Sequence, residues 1–107
     1  MLPQYEDYDD YWNCYLIAHS KKTTRLCHYI AFFAGCIIGL TGIFTLNIWL
    51  VLIAIIQGYV LAVGSHFMIQ KNKPLITRPI WGAVSVARMF MMELTGKLTG
   101  ELKRQGI

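Results

Sequence analysis

Three histidines are the side chains of this sequence best suited to chemistry. His28 and His66 lie near opposite ends of a 45-residue block, Leu26 to Gln70, that contains no Lys, Arg, Asp or Glu. If the block folds as a helical hairpin, both of its ends return to one face of a membrane. His28 follows Arg25 by three residues and His66 precedes Lys71 by five. On a helix those offsets are about 4.5 and 7.5 Å, so both imidazoles come to similar depth just below the charged flanks. His19 becomes a third candidate if the chain folds back across Ser20–Thr24. Three neutral imidazoles converging at a semi-buried depth suit iron or zinc. Other chemistries lack their residues: there is no nucleophile–base constellation, no Gly-rich phosphate loop after a strand, no HExxH and no CxxC. The early acids of the chain read as a solvated helix face.

The elements that must position these rings are set by the apolar block. A spanning helix needs roughly 20 mostly apolar residues. The block accommodates two, over 29–44 and 47–69, joined by a tight turn at Thr45, Leu46 and Asn47. A 107-residue chain is one domain, and a soluble domain of that size could hardly enclose two helices apolar on every face. The expected class is therefore all-α, a small integral membrane helical bundle. Lys21, Lys22 and Arg25 precede the first span, and Lys71, Lys73 and Arg78 follow the second. The positive-inside rule places both termini in the cytoplasm. Acids without a basic residue in the first twenty positions are the reverse of a signal's basic start, so no cleavable signal is expected from them. The net charge of +4 reads as attraction to anionic membrane lipids. Nucleic acid is not an expected partner, because no basic stripe with interleaved aromatics stands outside the membrane flanks. Cys14, Cys27 and Cys36 form no metal-binding spacing and read as free thiols.

The flanks complete the bundle. Residues 5–19 predict an amphipathic helix, with Tyr8, Trp12, Tyr15 and His19 on one stripe that would face the headgroup boundary. Residues 79–102 predict a docked or interfacial helix opened by Pro79, with Glu93, Lys97 and Glu101 at i, i+4 spacing. Small residues form ridges on both spans: Gly35, Gly39 and Gly42 on the first, Ala54, Gly58 and Ala62 on the second. Such ridges allow close helix approach in lipid, within the hairpin or in a homo-oligomer. Gln57, in mid-span, is expected to hydrogen-bond between helices.

The string from His19 through Arg25 and Cys27 to His28-Tyr29-Ile30 resembles the opening signature of the 2-hydroxy fatty acid α-dioxygenase family. That family is named for metabolism of phytosphingosine to odd-numbered fatty acids. Gly58-Tyr59 followed by His66-Phe67-Met68-Ile69-Gln70-Lys71-Asn72-Lys73-Pro74 is similar to its second signature. Pro79-Ile80-Trp81, Arg88-Met89 and Leu94-Thr95-Gly96-Lys97 resemble its third. The resemblance implies an Fe2+-dependent oxygenase of a bacterial inner membrane or the endoplasmic reticulum. It would shorten a 2-hydroxy fatty acid by one carbon with O2, releasing CO2. It also implies His19, His28 and His66 as iron ligands. Lys73, Arg78 or Arg88 could then pair with the substrate carboxylate, and Gln70 and Asn72 could support the ligands from behind. Two positions depart from the family: Gln70 stands where a Glu is usual, and Val86 where an Asp is common. A non-catalytic membrane hairpin and a b-type haem protein ligated by His28 and His66 are the competing readings.

Overall fold

The computed structural model describes residues 7–72 and 78–107, and no strand occurs among them. The chain is all-α and forms two compact units, one of residues 21–73 and one of residues 1–20 with 74–107.

The first of these units carries the apolar block. Helix α2 runs Lys22–Phe44 and helix α3 Ile48–Ser65, continued by a π-helical segment, His66–Gln70. Both are long and apolar enough to cross a membrane. In the most apolar 18-residue window of each, only 22% and 11% of the residues are buried, unlike the core helix of a soluble protein. Helix α2 begins seven residues before the expected span, so Lys22, Arg25 and His28 lie inside it. The polar stretch at Ser20–Thr24 does not break the helix beyond Lys21. There the backbone is extended and its N–H donates to Gln70 Oε1 at 3.1 Å. The Lys21 ammonium also donates to the Ile69 carbonyl at 2.9 Å. These contacts tie the start of α2 to the end of the π-helical segment.

The hairpin closes at the far end through a six-residue clasp. Asn47 N–H reaches the Gly42 carbonyl at 2.8 Å and Leu46 N–H the Ile43 carbonyl at 3.2 Å. Leu46 takes the left-handed conformation this clasp needs, at φ 54°. Asn47 then caps α3 by accepting from Trp49 N–H at 3.1 Å. Along the seam, the glycine ridge of α2 meets α3 as expected. A Cβ at Gly42 would lie 2.9 Å from Val51 N, and one at Gly39 would lie 3.5 Å from Ala54 Cβ. The partner ridge differs from expectation. A Cβ at Gly58 would meet nothing within 4 Å, so the α3 side of the seam is Leu50, Val51, Ala54 and Gln57. Gln57 Nε2 donates across the hairpin to the Ala31 carbonyl at 2.9 Å.

The other unit contains α1 (Tyr8–Ala18), α4 (Pro79–Leu94) and α5 (Leu98–Arg104). Asp7 caps α1 by accepting from Asp10 N–H at 2.9 Å. The aromatic stripe of α1 is not offered outward. Tyr11, Trp12 and Tyr15 are buried with Leu16, Val86, Met89 and Leu98, because α4 supplies an apolar face and a cation. The Arg88 guanidinium stacks on Trp12 at 4.1 Å, and Tyr8 Oη pairs with Ser85 Oγ at 3.0 Å. The single helix expected over 79–102 is broken at Thr95–Lys97. Gly96, at φ 77°, closes α4 with the same clasp as Leu46, Lys97 N–H reaching the Met92 carbonyl at 2.8 Å. The Glu93–Lys97–Glu101 ladder is interrupted there, and Glu101 pairs with Arg104 instead. Hydrogen bonds from Arg104 and then Gln105 hold the Glu101 carboxyl down at about 2. Burial, then the charge of Asp10, pushes the Cys14 thiol up, which keeps it protonated and inert at neutral pH.

Candidate metal centre

His28 sits in the second turn of α2, on the same face as Thr24. It is 8% exposed. Its Nδ1 lies 2.9 Å from the Thr24 carbonyl oxygen. A carbonyl can only accept, so Nδ1 carries the proton and Nε2 carries the lone pair. Ser65 Oγ lies 3.5 Å from the same Nδ1, its own proton directed to the Ala62 carbonyl at 2.8 Å.

His66 opens the π-helical segment and is 2% exposed. The extra residue per turn of a π-helix reorients the side chains at its start, a geometry frequent at functional sites. Lys71 then turns left-handed at φ 61°, and its N–H and that of Asn72 both donate to the His66 carbonyl. That turn brings the Asn72 side chain back to the ring: His66 Nδ1 donates to Asn72 Oδ1 at 2.8 Å. Nε2 of His66 is thereby left with its lone pair as well. The His28 and His66 rings stand nearly perpendicular, at 83°, with centroids 4.9 Å apart. The hairpin and the Lys21 contacts thus join two imidazoles 38 positions apart in sequence.

His19 belongs to the unit of α1 and caps the C-terminus of that helix. It is 1% exposed, stacks on Tyr15 with centroids 4.0 Å apart, and directs Nδ1 to the Tyr15 carbonyl at 2.6 Å. The three histidines share one pattern. Each is buried, and each spends its Nδ1 proton on a carbonyl or carboxamide oxygen, which fixes the tautomer that presents Nε2 as a donor. Metal-bound histidines are typically oriented in this way. Neutral imidazoles held in this way fit a first-row transition metal, and no carboxylate is needed for that orientation.

The supporting residues are distributed differently from expectation. Asn72 takes the role behind His66, whereas Gln70 accepts from the backbone of Lys21. Arg78 and Arg88 belong to the unit of α1, where they stack on Trp81 at 4.9 Å and on Trp12 at 4.1 Å. Lys73 lies outside the described residues. Val86 is part of the buried core of its unit. Two residues not expected at the site from the sequence lie one turn before His28 on α2: Thr24, fully buried, and Arg25, 6% exposed. Their spacing of four and three residues before His28 is the signal. It becomes legible once α2 is extended back to Lys22.

A family model described as 2-hydroxy-palmitic acid dioxygenase Mpo1-like matches residues 5–98. The chain belongs to this family. The matched range contains all three histidines, Thr24, Arg25 and Asn72, and it leaves out nearly all of α5. Comparisons with curated proteins and with solved structures gave no match. Membership of a dioxygenase family and a set of three buried imidazoles are both compatible with a metal.

Proposed function

We propose that the protein is a membrane-embedded, iron-dependent oxygenase that shortens 2-hydroxy fatty acids by one carbon. His19, His28 and His66 would hold the iron. The observation that carries this reading is the arrangement common to all three: buried rings whose Nδ1 lies against a carbonyl or carboxamide oxygen, which selects the tautomer with its lone pair on Nε2. Within its own unit the hairpin brings His28 and His66 together, and His19 would be the third ligand. Only Ser20 and Lys21 separate His19 from α2, so a fold-back of the chain there would complete the set.

The overall reaction balances as 2-hydroxy acid plus O2 giving the acid one carbon shorter, CO2 and water. The bond between C1 and C2 breaks, C2 is oxidised to the new carboxyl, and O2 takes up four electrons. Bound iron supplies the one-electron steps that let ground-state O2 react with a closed-shell substrate. The chain's own residues bind and orient. The exposed apolar faces of α2 and α3, including Ile30, Ile37, Ile56 and Val60, would keep the acyl tail in lipid. The polar end would meet the histidines near the charged flank. Both termini would lie in the cytoplasm, as the Lys and Arg flanks require.

The spacing of the two hairpin histidines argues against a haem. Axial ligation across a haem plane with metal–nitrogen bonds of about 2 Å needs ring centroids at least about 6 Å apart. The observed 4.9 Å at 83° suits two ligands on adjacent positions of one small ion.

Metal analysis of detergent-purified protein, run with oxygen uptake on 2-hydroxypalmitate, tests the reading. About one non-haem iron per chain is expected, with both iron and O2 consumption lost in His28→Ala and His66→Ala. Oxygen consumption that survives both substitutions would remove the site, and a Soret band would replace iron by haem.

A further inference from the structure

Thr24 holds a hydroxyl that the fold leaves without a partner. The residue is fully buried, and its Oγ1 makes no hydrogen bond among the described residues. Such an atom forfeits the hydrogen bonds it had in water and costs about 1–3 kcal/mol. Thr side chains in helices commonly satisfy themselves on the carbonyl one turn back. Thr24 is the third residue of α2, so its i−4 carbonyl belongs to Ser20, outside the helix, and that route is not taken. Meanwhile its own carbonyl is engaged by His28 Nδ1 at 2.9 Å. Covalent geometry then keeps Oγ1 within about 7 Å of the His28 ring. The unpartnered hydroxyl therefore stands within a side chain's length of a candidate metal ligand.

From this juxtaposition, we infer that Thr24 is the specificity-determining residue that reads the 2-hydroxyl of the substrate. The inference rests on the oxygenase reading above. A threonine hydroxyl both donates and accepts, so it pairs with another hydroxyl in either direction. A carboxylate only accepts and is better matched by a cation. The unit holding Thr24 contains no Asp or Glu, so a neutral hydroxyl in it meets no competing acid from its own unit. A buried hydrogen-bonding group left unsatisfied without ligand also rejects analogues that cannot complete it. Sites of that kind discriminate far more strongly than apolar pockets do. The cost carried by the free protein becomes selectivity for 2-hydroxy over unsubstituted acids.

The test compares wild type, Thr24→Val and Thr24→Ser, each iron-loaded and held without O2. Binding of 2-hydroxypalmitate and of palmitate is measured, along with iron content and thermal unfolding. Wild type and Thr24→Ser should prefer the 2-hydroxy acid. Thr24→Val, nearly isosteric, should lose that preference by tenfold or more while retaining the same iron. A Thr24→Val protein that keeps the preference, or that weakens both acids equally, overturns the inference even where iron and turnover are intact. A wild type that binds iron and consumes O2 but shows no preference overturns it too. A wild type without iron overturns it together with the oxygenase reading, and the His28→Ala and His66→Ala controls identify that case.

Discussion

At the scale of single residues, the orientation of each imidazole is decided by what holds its Nδ1 proton. Carboxylates often do this in metal sites, but no acid occurs between Asp10 and Glu93. Two backbone carbonyls and the Asn72 carboxamide do it here. The backbone acceptors cannot be removed by mutation, whereas Asn72 can. Asn72→Ala is expected to weaken iron binding about 10–100-fold by freeing the His66 ring, measured by competition against a chelator. Asn72→Asp should restore it, since a carboxylate accepts the same proton. Unchanged affinity in Asn72→Ala would show that this bond does not orient the ligand. By sequence position, Gln70 and Asn72 are equally placed to support His66. Choosing between them needed the left-handed turn at Lys71, which swings Asn72 back to the ring and leaves Gln70 to Lys21.

At the scale of elements, the hairpin depends on two positions with opposite demands. Gly42 is required by packing: a Cβ there would lie 2.9 Å from Val51 N and from the Val51 and Leu50 side chains. Backbone cannot yield cheaply, so Gly42→Ala should destabilise the hairpin by about 1–3 kcal/mol. Leu46 is the reverse case, a branched side chain held at φ 54° and 94% exposed. Left-handed conformation costs a non-glycine residue roughly 1–2 kcal/mol. Leu46→Gly should therefore stabilise by about 1 kcal/mol, less what the looser unfolded chain returns. Thermal unfolding in detergent should move down for the first variant and up for the second; the opposite order would mean the seam is elsewhere. Gly35, Gly39 and Gly42 were legible as a ridge, because three- and four-residue spacing lines one helix face. Gly58 shares its stripe with Ala54 yet a Cβ there would meet nothing within 4 Å, because spacing marks a stripe of α3 but not which of its positions meet the neighbouring helix. The break at Gly96 was hidden for a related reason: the apolar periodicity continues across it, and only the clasp at φ 77° ends the helix.

At the scale of the whole molecule, the proposed topology places Leu46 on the side of the membrane opposite both termini. In a variant with Cys14, Cys27 and Cys36 replaced by serine, Leu46→Cys should react with an impermeant maleimide only from the extracytoplasmic side. A tag at either terminus should be accessible only from the cytoplasm; labelling of Leu46→Cys from the cytoplasmic side would reverse or dissolve the hairpin. The sequence by itself determined the helical class, the two apolar rods, their turn and the family. The first three are properties of composition or short spacing, fixed by the 3.6-residue period and by the exclusion of charge from 45 consecutive residues; the family was legible only in the motif strings that resemble its signatures. The sequence also named the three histidines. Only the tertiary structure decided that Trp12 and Tyr15 are core instead of surface. It also set the His28 and His66 rings edge to face at 4.9 Å, chose their tautomers and left Thr24 Oγ1 unmatched. Those outcomes depend on contacts between residues dozens of positions apart and on a one-residue π-helical insertion, where small rotations change which atoms meet. Spacing along a chain carries no such information, because it fixes the face of a helix but not what the neighbouring helix presents to it.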